Sequence, residues 1–361
     1  MTILHVVVPD GIDDPDRPSG GNVYDRRVCR ELTAIGWSVH EHLVRGSWPT
    51  PEPADRASLS EVVAGIPDGA VVLLDGLVAS TAPEVLVPEA RRLRLVILVH
   101  MPLGDGLPDD GEDAEQARTR EGAVLSVAAA VVTPSPWTRS RLVARYSLRP
   151  DRVYVAEPGV NPADISSGTA NGGELLCVAA VSQHKGHDVL LAALAMVSHL
   201  PWRCTCVGSL DRDPGFVDRL RSQVRTDGIG DRVQFTGPLT GRELDATYAG
   251  ADVLVLASRG ETYGMVVTEA LARGLPVIGT AVGGLPQALG GQPDGGLPDG
   301  GLPGLLVPPD DPAALADALC AWLRDADLRR RLRQAAEERR GTLSAWSATT
   351  DRIVRVIAEV A

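Results

Sequence analysis

Residues 252–284 read DVLVLASRGETYGMVVTEALARGLPVIGTAVGG, and this stretch decides the fold. Its first apolar run, Val253–Ala257, is typical of a buried strand in a parallel sheet. A helix is expected from about Thr262 to Arg273, because Gly274 can end it and the proline that follows cannot continue it. The apolar residues 277–279 then form the next strand. The stretch therefore predicts a βαβ unit, and ligands of such sheets bind where strands end and helices begin.

Two carboxylates mark this unit, one just before the expected helix and one two turns into it. Eight helical residues would separate Glu261 from Glu269 by roughly 12 Å along the axis, which suits the two ends of one extended ligand. The backbone N–H groups between them predict an anion site, and they belong to Tyr263, Gly264, Met265 and Val266. Since a carboxylate beside a bound phosphate is repelled, each Glu is expected to bind hydroxyl groups. A solvated Glu and a helix-capping Glu would explain the spacing equally well.

The order Glu, seven residues, Glu, followed by Gly-Leu-Pro-Val and Val-Gly-Gly-Leu-Pro, resembles the donor-site motif of retaining GT-B glycosyltransferases. The closer resemblance is to glycosyltransferase family 4, the group that contains bacterial phosphatidylinositol mannosyltransferases and sucrose synthases, and it covers nearly the whole chain. The resemblance implies an α/β protein of two doubly wound, Rossmann-like domains that face a cleft. It places the nucleotide-sugar donor mainly on the second domain and the acceptor mainly on the first.

The domain boundaries follow from the alternation of strands and helices, which runs through both halves of the 361-residue chain. Residues 161–173 are rich in glycine, serine, asparagine and threonine, which is typical of an interdomain linker. The predicted domains are an N-terminal acceptor domain, residues 1–163, and a C-terminal donor domain, residues 170–345. In the resembled fold the final helix, residues 346–361, crosses back to the first domain.

The composition limits which binding partners and which cellular compartment are expected for the protein. A formal net charge of −12 argues against non-specific binding of nucleic acid or of an anionic membrane. Five cysteines, an odd count without a C-x-x-C pair, predict buried free thiols in a reducing compartment. The first residues are predicted to form a strand and not a signal peptide or an anchor, and no apolar stretch reaches the length of a membrane span. A cytoplasmic protein without stable membrane association is therefore expected.

Two features of the first half are candidates for the ligand site. Gly20 and Gly21 open a helix, where they allow a ligand to approach the backbone N–H groups closely. The resemblance implies that this pair borders the donor diphosphate, while a flexible loop feeding a helix would explain it equally well. His100 ends an apolar strand, residues 93–100, at the edge where ligands bind. A lone histidine there is usually structural, but the resemblance implies that His100 contacts the donor sugar.

The second half contributes a cation. Lys185 lies in the turn between a strand and a helix and resembles the phosphate-binding lysine of the family, whose point charge suits a diphosphate. The family usually carries an arginine a few residues earlier, where this chain has Ala180. Half of the usual cationic clamp is therefore absent, unless another residue such as Arg259 replaces it.

An acidic run and a low-complexity run remain. Six acidic residues crowd residues 104–115, namely Asp105, Asp109, Asp110, Glu112, Asp113 and Glu115. Such runs are usually solvated loops. Since this loop leaves the same sheet edge as His100, an acceptor contact is the alternative, and it favours a neutral or cationic acceptor over a lipid phosphate. Residues 290–304 are rich in glycine and proline and predict a loop to which we assign no chemistry.

The predicted reaction needs no metal ion and no other cofactor. The seven histidines are scattered, and the sequence has no H-E-x-x-H motif and no cysteine–histidine cluster. The resemblance implies that Lys185 and the amides of residues 263–266 hold the diphosphate, that Glu261 holds sugar hydroxyls and that Glu269 holds the ribose diol. It also implies retention of anomeric configuration, in which the leaving phosphate oxygen takes the proton of the attacking acceptor.

The sequence therefore predicts a retaining, metal-independent glycosyltransferase. The donor is a nucleoside-diphosphate sugar, with UDP preferred to GDP, and the acceptor is a hydroxyl of a small soluble molecule. The candidate catalytic residues are His100, Lys185 and Glu261. A non-catalytic sugar-nucleotide sensor or partner subunit is the alternative, and Ala180 supports it. A nicotinamide-dependent dehydrogenase is disfavoured, because no strand is followed by G-x-G-x-x-G with an acid about 20 residues later.

Overall fold

The computed structural model describes residues 2–106, 112–291 and 301–361. Its contacts divide the chain into two compact units. The first unit contains the chain up to Asp14, then Gly20–Gly159 and Ser344–Ala361. The second contains Pro15–Ser19 and Val160–Leu343.

The first unit is a parallel sheet covered by helices. Its strands are β1 (Ile3–Pro9), β2 (Ser38–Val44), β3 (Val71–Asp75), β4 (Arg94–Leu98), β5 (Ala130–Thr133) and β6 (Val153–Val155). They lie in the order β2-β1-β3-β4-β5-β6, and every pairing is parallel. Its helices are α1 (Gly20–Ala34), α2 (Pro53–Ala64), α3 (Gly76–Ala79), α4 (Pro83–Glu89), α5 (Glu112–Val127), α6 (Pro136–Tyr146) and the last helix of the chain, α14 (Trp346–Val360). The central strands β3 and β4 are buried along nearly their whole length, as expected of strands with helices on both faces.

The second unit repeats this plan. Its strands are β7 (Glu174–Val178), β8 (Arg203–Val207), β9 (Val233–Gly237), β10 (Val253–Leu256), β11 (Val277–Thr280) and β12 (Gly304–Val307). They lie in the order β12-β11-β10-β7-β8-β9, again all parallel. Its helices are α7 (His187–Met196), α8 (Pro214–Thr226), α9 (Gly241–Ala249), α10 (Met265–Leu271), α11 (Leu285–Ala288), α12 (Pro312–Arg324) and α13 (Ala326–Arg340).

These two sheets confirm the predicted α/β fold with two doubly wound halves. The final helix α14 packs on α1 and β5, so it belongs to the first unit, as the resemblance implied. Within the described ranges, we find no helix with both the length and the apolar composition that crossing a bilayer requires.

Several element boundaries differ from the expected ones. Helix α10 begins at Met265 rather than near Thr262, because Gly264 has a φ of +96°, a left-handed conformation that cannot continue into a helix. Strand β4 ends at Leu98, so His100 lies two residues beyond it. Helix α5 begins at Glu112 and takes up the end of the acidic run that was expected to be a loop. Residues 107–111 and 292–300, which include Asp109, Asp110 and most of the glycine- and proline-rich run, lie outside the described residues.

Candidate functional site

Two of the predicted site residues, Lys185 and Glu261, meet in the second unit. Lys185 ends a short 3-10 turn after β7, and Glu261 lies in the turn after the neighbouring strand β10. Lys185 Nζ donates a hydrogen bond of 2.6 Å to Glu261 Oε1, and Ser258 Oγ donates to the same oxygen at 2.9 Å. Because the strand order reverses between β7 and β10, the pair lies at the topological switch point, where α/β proteins bind ligands.

Three glycines hold the turns around this pair together. A Cβ added at Gly186 would lie 1.9 Å from the backbone oxygen of the residue after β10, so only glycine lets the turn that carries Lys185 pack there. A Cβ added at Gly283 would lie 1.8 Å from the carbonyl oxygen of Glu261. The Gly284 N–H donates a hydrogen bond of 2.7 Å to that same oxygen. The Val-Gly-Gly motif in the turn after β11 therefore fixes the position of Glu261.

The pair keeps bonding capacity for a ligand. The side chain of Lys185 is 26% exposed and that of Glu261 is 11% exposed. An ammonium group has three N–H donors, and Glu261 takes one of them. Glu261 Oε2 has no hydrogen-bond partner among the described residues, since both of its bonds go to Oε1. A ligand can therefore bind both groups without breaking the bond between them.

Glu269 lies on α10 beside a buried tyrosine. The phenol of Tyr248, on α9, donates a hydrogen bond of 3.0 Å to Glu269 Oε2. Burial and the neighbouring Glu269 hold the pKa of Tyr248 well above its ordinary value, so the phenol stays a donor. Burial also raises the pKa of Glu269, against the lowering effects of Tyr248 and Arg273. Glu269 Oε1 has no partner in the part of the chain that the structure describes, so it can accept from a ligand hydroxyl.

The distance argument that linked Glu261 to Glu269 is wrong. Helix α10 has seven residues and begins four residues after Glu261, so the eight-residue spacing does not follow one helix axis. The expected amide site is shorter as well. Only Met265 and Val266 lie in the first turn of α10, whereas Tyr263 and Gly264 precede it. Both Tyr263 and Val266 are partly buried and pack their side chains against the core of the unit.

Arg259 does not supply the cation that is missing at position 180. Its guanidinium makes a bidentate pair with Asp188 on α7, at 2.8 and 3.0 Å. Its Nε donates to Asp310, after β12, at 2.7 Å. These bonds tie the turn after β10 to two other elements of the unit, so Arg259 has a structural role.

In the first unit, His100 joins two carboxyl groups that the sequence analysis did not single out. Its Nε2 lies 2.6 Å from Oδ1 of Asp25 on α1. Asp75, the last residue of β3, completes the group, and the three residues offer nitrogen or oxygen atoms that lie within 4.8 Å of one another. This composition is that of a possible metal site. The scattered histidines of the sequence gave no sign of it, because the cluster forms only when the ends of β3 and β4 meet the helix α1.

One glycine of the predicted pair of the first unit, Gly21, has a packing role. A Cβ added at Gly21 would lie 3.0 Å from Cδ2 of His100, so the absence of a side chain makes room for the imidazole. A Cβ added at Gly76 would lie 2.7 Å from the carbonyl oxygen of Leu98, so this glycine lets the end of β3 approach the end of β4. Gly20 is exposed at the first position of α1, and its contact with a ligand stays a prediction.

The described part of the acidic run has a local explanation. Glu112, Asp113 and Glu115 are exposed and lie in the first turn of α5. Acidic side chains there stabilise a helix, because they face the positive end of its dipole. These three residues therefore need no acceptor to account for them.

Comparison with known proteins places the chain in a family. Residues 167–339 match the family model described as Glycosyl transferases group 1. A D-inositol 3-phosphate glycosyltransferase from Corynebacterium diphtheriae is 31% identical over 294 residues, which cover 76% of this chain and 65% of the relative. D-inositol 3-phosphate glycosyltransferase 1 from Catenulispora acidiphila is 31% identical over 301 residues, which cover 78% of this chain and 68% of the relative. The chain thus spans about two thirds of the length of these curated relatives.

Solved structures share the fold over the whole chain. Sucrose-phosphate synthase from Thermosynechococcus elongatus is 23% identical, with a TM-score of 0.81 and coverage of 100% of this chain and 99% of that one. The Anabaena protein HepE, solved in complex with UDP and glucose, is 17% identical, with a TM-score of 0.77 and coverage of 99% and 100%. These likenesses establish the GT-B fold. The Catenulispora relative, at 31% identity and covered over 68% of its length, shows that the chain belongs to the glycosyl transferases group 1 family.

Proposed function

We propose that this glycosyltransferase moves the sugar of a UDP-sugar, with retention of configuration, to a hydroxyl group of a small soluble acceptor. The observation that carries the proposal is the hydrogen bond between Lys185 and Glu261 at the switch point of the second unit. It places a cation for the diphosphate beside a carboxylate for sugar hydroxyls. The relatives are named as glycosyltransferases, which favours an enzyme over the alternative of a non-catalytic sensor.

The identity of the cation favours a diphosphate ligand. Lys185 is the only lysine of the sequence, in which the other 34 of the 35 basic residues are arginines. An arginine at this position would be a planar group with a delocalised charge, whereas an ammonium is a compact point charge. The compact ammonium of Lys185 gives one donor to Glu261 and keeps two for phosphate oxygens. It can therefore stabilise the charge that develops on the leaving diphosphate.

The positive charge of Lys185 reduces the expected repulsion between Glu261 and a phosphate. Lys185 compensates the charge of Glu261 at 2.6 Å, so the carboxylate can lie near the sugar end of the diphosphate. Its free Oε2 can then accept from a sugar hydroxyl. Tyr248 donates to Oε2 of Glu269, and the free Oε1 of that carboxyl group is assigned to the ribose diol.

Two findings about similar proteins support the choice of ligands. HepE binds UDP and glucose, which favours a uridine nucleotide. The curated relatives are named for D-inositol 3-phosphate, which favours a small polyol as acceptor. Three of the six acids behind the expectation of a neutral or cationic acceptor, Glu112, Asp113 and Glu115, are explained by the dipole of α5. Inositol with and without a phosphate group is therefore the first pair of acceptors to compare.

The proposal includes no metal ion, because Lys185 and the first-turn amides of α10 offset the charge of the diphosphate. Transfer should persist at full rate after exhaustive treatment with EDTA. A loss of activity that Mg²⁺ or Mn²⁺ restores would contradict this part. His100 is expected to orient the donor sugar, and His100→Gln tests that role through the kcat of transfer.

The single lysine gives a direct experiment. Protein labelled with ¹³C,¹⁵N-lysine has one lysine side-chain signal in an NMR spectrum, and that signal belongs to Lys185. It should shift on addition of a UDP-sugar and shift less with GDP- and ADP-sugars. The anomeric coupling constant of the transfer product reports retention. A lysine signal that no nucleotide sugar moves would overturn the donor site, and an inverted product would overturn retention.

A further inference from the structure

The carboxyl groups behind His100 are incompletely paired. Asp25 Oδ1 is bonded to the imidazole, whereas its Oδ2 is buried without a hydrogen-bond partner. A carboxyl oxygen of Asp75 lies within 4.8 Å of Asp25 and of His100, and hydrogen bonding between the two carboxyl groups contributes to the raised pKa of Asp75. Two ionised carboxylates in this position would repel each other, and neither could donate. A proton held between them supplies the missing donor and removes the repulsion.

The surrounding structure holds all three groups in place. Asp75 caps the short helix α3, and its Oδ1 accepts from the Leu77 N–H at 2.5 Å. The ring of Tyr24 packs edge-on against the ring of His100, with centroids 5.0 Å apart. Asp25 is 3% exposed, so water does not share its charge. Since backbone and rings fix the positions, the cluster can adjust mainly by gaining or losing protons.

We propose that Asp25 and Asp75 share one proton, so that Asp75 donates to the Asp25 carboxylate and the two act as positioning residues for His100. Asp25 then accepts a hydrogen bond from the Nε2–H of the imidazole and fixes the ring. His100 carries a positive charge, and its Nδ1–H is the remaining donor. His100 Nδ1 has no partner among the described residues. The assignment of that donor to a ligand rests on the proposed function, whereas the shared proton does not.

Charge balance supports this arrangement. Burial and the neighbouring Asp25 raise the pKa of Asp75, against the lowering effects of His100 and of a backbone N–H. Burial lowers the pKa of His100, whereas Asp25 and, to a smaller extent, Asp75 raise it. The raising effects are together larger, so the net shift of the pKa is upward. The other titratable neighbour, Tyr24, has a pKa held well above its ordinary value by burial and Asp25, with Arg352 on α14 acting in the opposite direction. With Asp75 neutral, the charges of Asp25 and His100 cancel.

A divalent cation is the competing occupant of the same three groups. Two ligand atoms that each lie about 2.1 Å from a metal ion are separated by roughly 3 Å or more in octahedral or tetrahedral geometry. The observed separation of His100 Nε2 and Asp25 Oδ1 is 2.6 Å, which is a direct hydrogen bond. An ion would have to open this bond, so the geometry favours the proton.

Two isosteric variants separate the roles of the carboxyl groups. Asp75→Asn keeps a side-chain donor beside Asp25, whereas Asp25→Asn removes the charge that holds His100. NMR titration of the histidine nitrogens in ligand-free, ¹⁵N-labelled protein follows His100, which the His100→Gln variant identifies. Asp25→Asn should lower the pKa of His100 by at least about one unit, and Asp75→Asn should change it by less than about 0.3 units. In transfer assays, the kcat/KM of Asp25→Asn should fall at least about tenfold more than that of Asp75→Asn.

Three results would overturn the proposal. Equal decreases in the pKa of His100 in both variants would mean that both carboxyl groups are ionised. A side-chain carboxyl ¹³C signal of Asp75 that already has the shift of an ionised acid at pH 6 would mean the same, and this measurement needs no variant. Broadening of the His100 signals by one equivalent of Mn²⁺ would identify a metal site instead. Because these titrations use ligand-free protein, they give an answer even if the proposed donor proves wrong.

Discussion

The two units carry their charged clusters at corresponding places in their sheets but at different depths. In each sheet the strand order reverses once, between β1 and β3 in the first unit and between β7 and β10 in the second. Asp75 is the last residue of β3, Lys185 follows β7 and Glu261 follows β10. The Lys185 and Glu261 side chains are 26% and 11% exposed, whereas the side chain of Asp25 is 3% exposed.

This difference in depth decides how each cluster balances its charge. Near water, Lys185 and Glu261 compensate each other's charge and can exchange solvent for a charged ligand. In the buried cluster a second ionised carboxylate would have no counter-charge, so Asp75 keeps its proton. The exposed pair is therefore suited to binding a diphosphate sugar. The buried cluster is suited to holding one imidazole in a fixed orientation.

Removing the cation of the exposed pair should have the largest effect. Lys185→Met keeps an unbranched side chain but loses the three donors, and kcat/KM should fall about 10²–10³-fold, as for the loss of an electrostatic donor at a transition state. Steady-state kinetics with the best donor measure this change. Arg221→Met is the matched control, because Arg221 is also paired with an acid, Asp218, at 3.6 Å, on the exposed surface of α8. The control should change kcat/KM less than about twofold, and equal losses in both variants would contradict a role for Lys185 at the donor.

The glycines that assemble the two clusters should respond differently to alanine. Gly283 has a φ of +57°, and its added Cβ would lie 1.8 Å from a backbone oxygen, so Gly283→Ala should lower the free energy of unfolding by about 2–4 kcal/mol. The nearest atom to a Cβ at Gly21 belongs to the His100 ring, at 3.0 Å, and alanine favours a helix over glycine by about 1 kcal/mol. Gly21→Ala should therefore keep wild-type stability within about 1 kcal/mol and lose activity through a displaced His100.

Denaturant unfolding and transfer kinetics measure the two variants side by side. A Gly283→Ala protein as stable as wild type would show that the turn after β11 can move away from Glu261. A Gly21→Ala protein with full activity would show that His100 does not need its observed position.

The sheets and most of the turns could be predicted because their causes are local. Apolar runs of four to eight residues indicate buried strands, and the glycines and charged residues that follow them indicate ligand turns. Lys185, Glu261 and His100 each carried such a signal. The start of α10 could not be placed, because the left-handed conformation of Gly264 depends on the turn around it.

The pairings between site residues could not be predicted from the sequence. Lys185 and Glu261 are 76 residues apart, and they meet because β7 and β10 are neighbours, which the order of the chain does not give. Asp25 stands beside two arginines in a helix and has the pattern of a solvated acid. Its side chain is nevertheless only 3% exposed. Asp25 and His100 are 75 residues apart in the sequence, so their hydrogen bond could not be predicted from it.

The next largest effect is expected at Glu269, whose carboxyl group accepts a hydrogen bond from the buried phenol of Tyr248. Glu269→Ala should raise the KM of the donor about tenfold and leave kcat within about twofold, because the ribose contact is equal in the ground state and the transition state. Tyr248→Phe leaves the carboxylate but removes its buried partner, so it should raise the KM only about two- to threefold. Isothermal titration with UDP checks the affinities directly. An unchanged donor affinity in Glu269→Ala would contradict the assignment of Glu269 to the ribose.

The smallest effect concerns the buried cluster, and its sign follows from the raised pKa of Asp75. In the unfolded chain Asp75 ionises near pH 4, whereas burial and Asp25 keep the folded form protonated to higher pH. The stability that this carboxyl group contributes is therefore fully present below about pH 4 and is lost as the pH rises toward the folded pKa. The loss is at most about 1.4 kcal/mol for each pH unit in that window. Asp75→Asn cannot ionise, so its stability relative to wild type should increase with pH.

Thermal unfolding of wild type and Asp75→Asn at pH 5, 6 and 7 measures this difference. The raised pKa of His100 gives stability that is present below about pH 6.5 and is lost above it, but both proteins keep His100, so the comparison isolates Asp75. Asp351→Asn, on the exposed face of α14, is the matched control and should differ from wild type by a constant amount. A constant difference for Asp75→Asn as well would mean that Asp75 ionises in the folded protein as it does in the unfolded chain. The buried cluster would then carry an uncompensated charge, and depth would not be what distinguishes it from the Lys185–Glu261 pair.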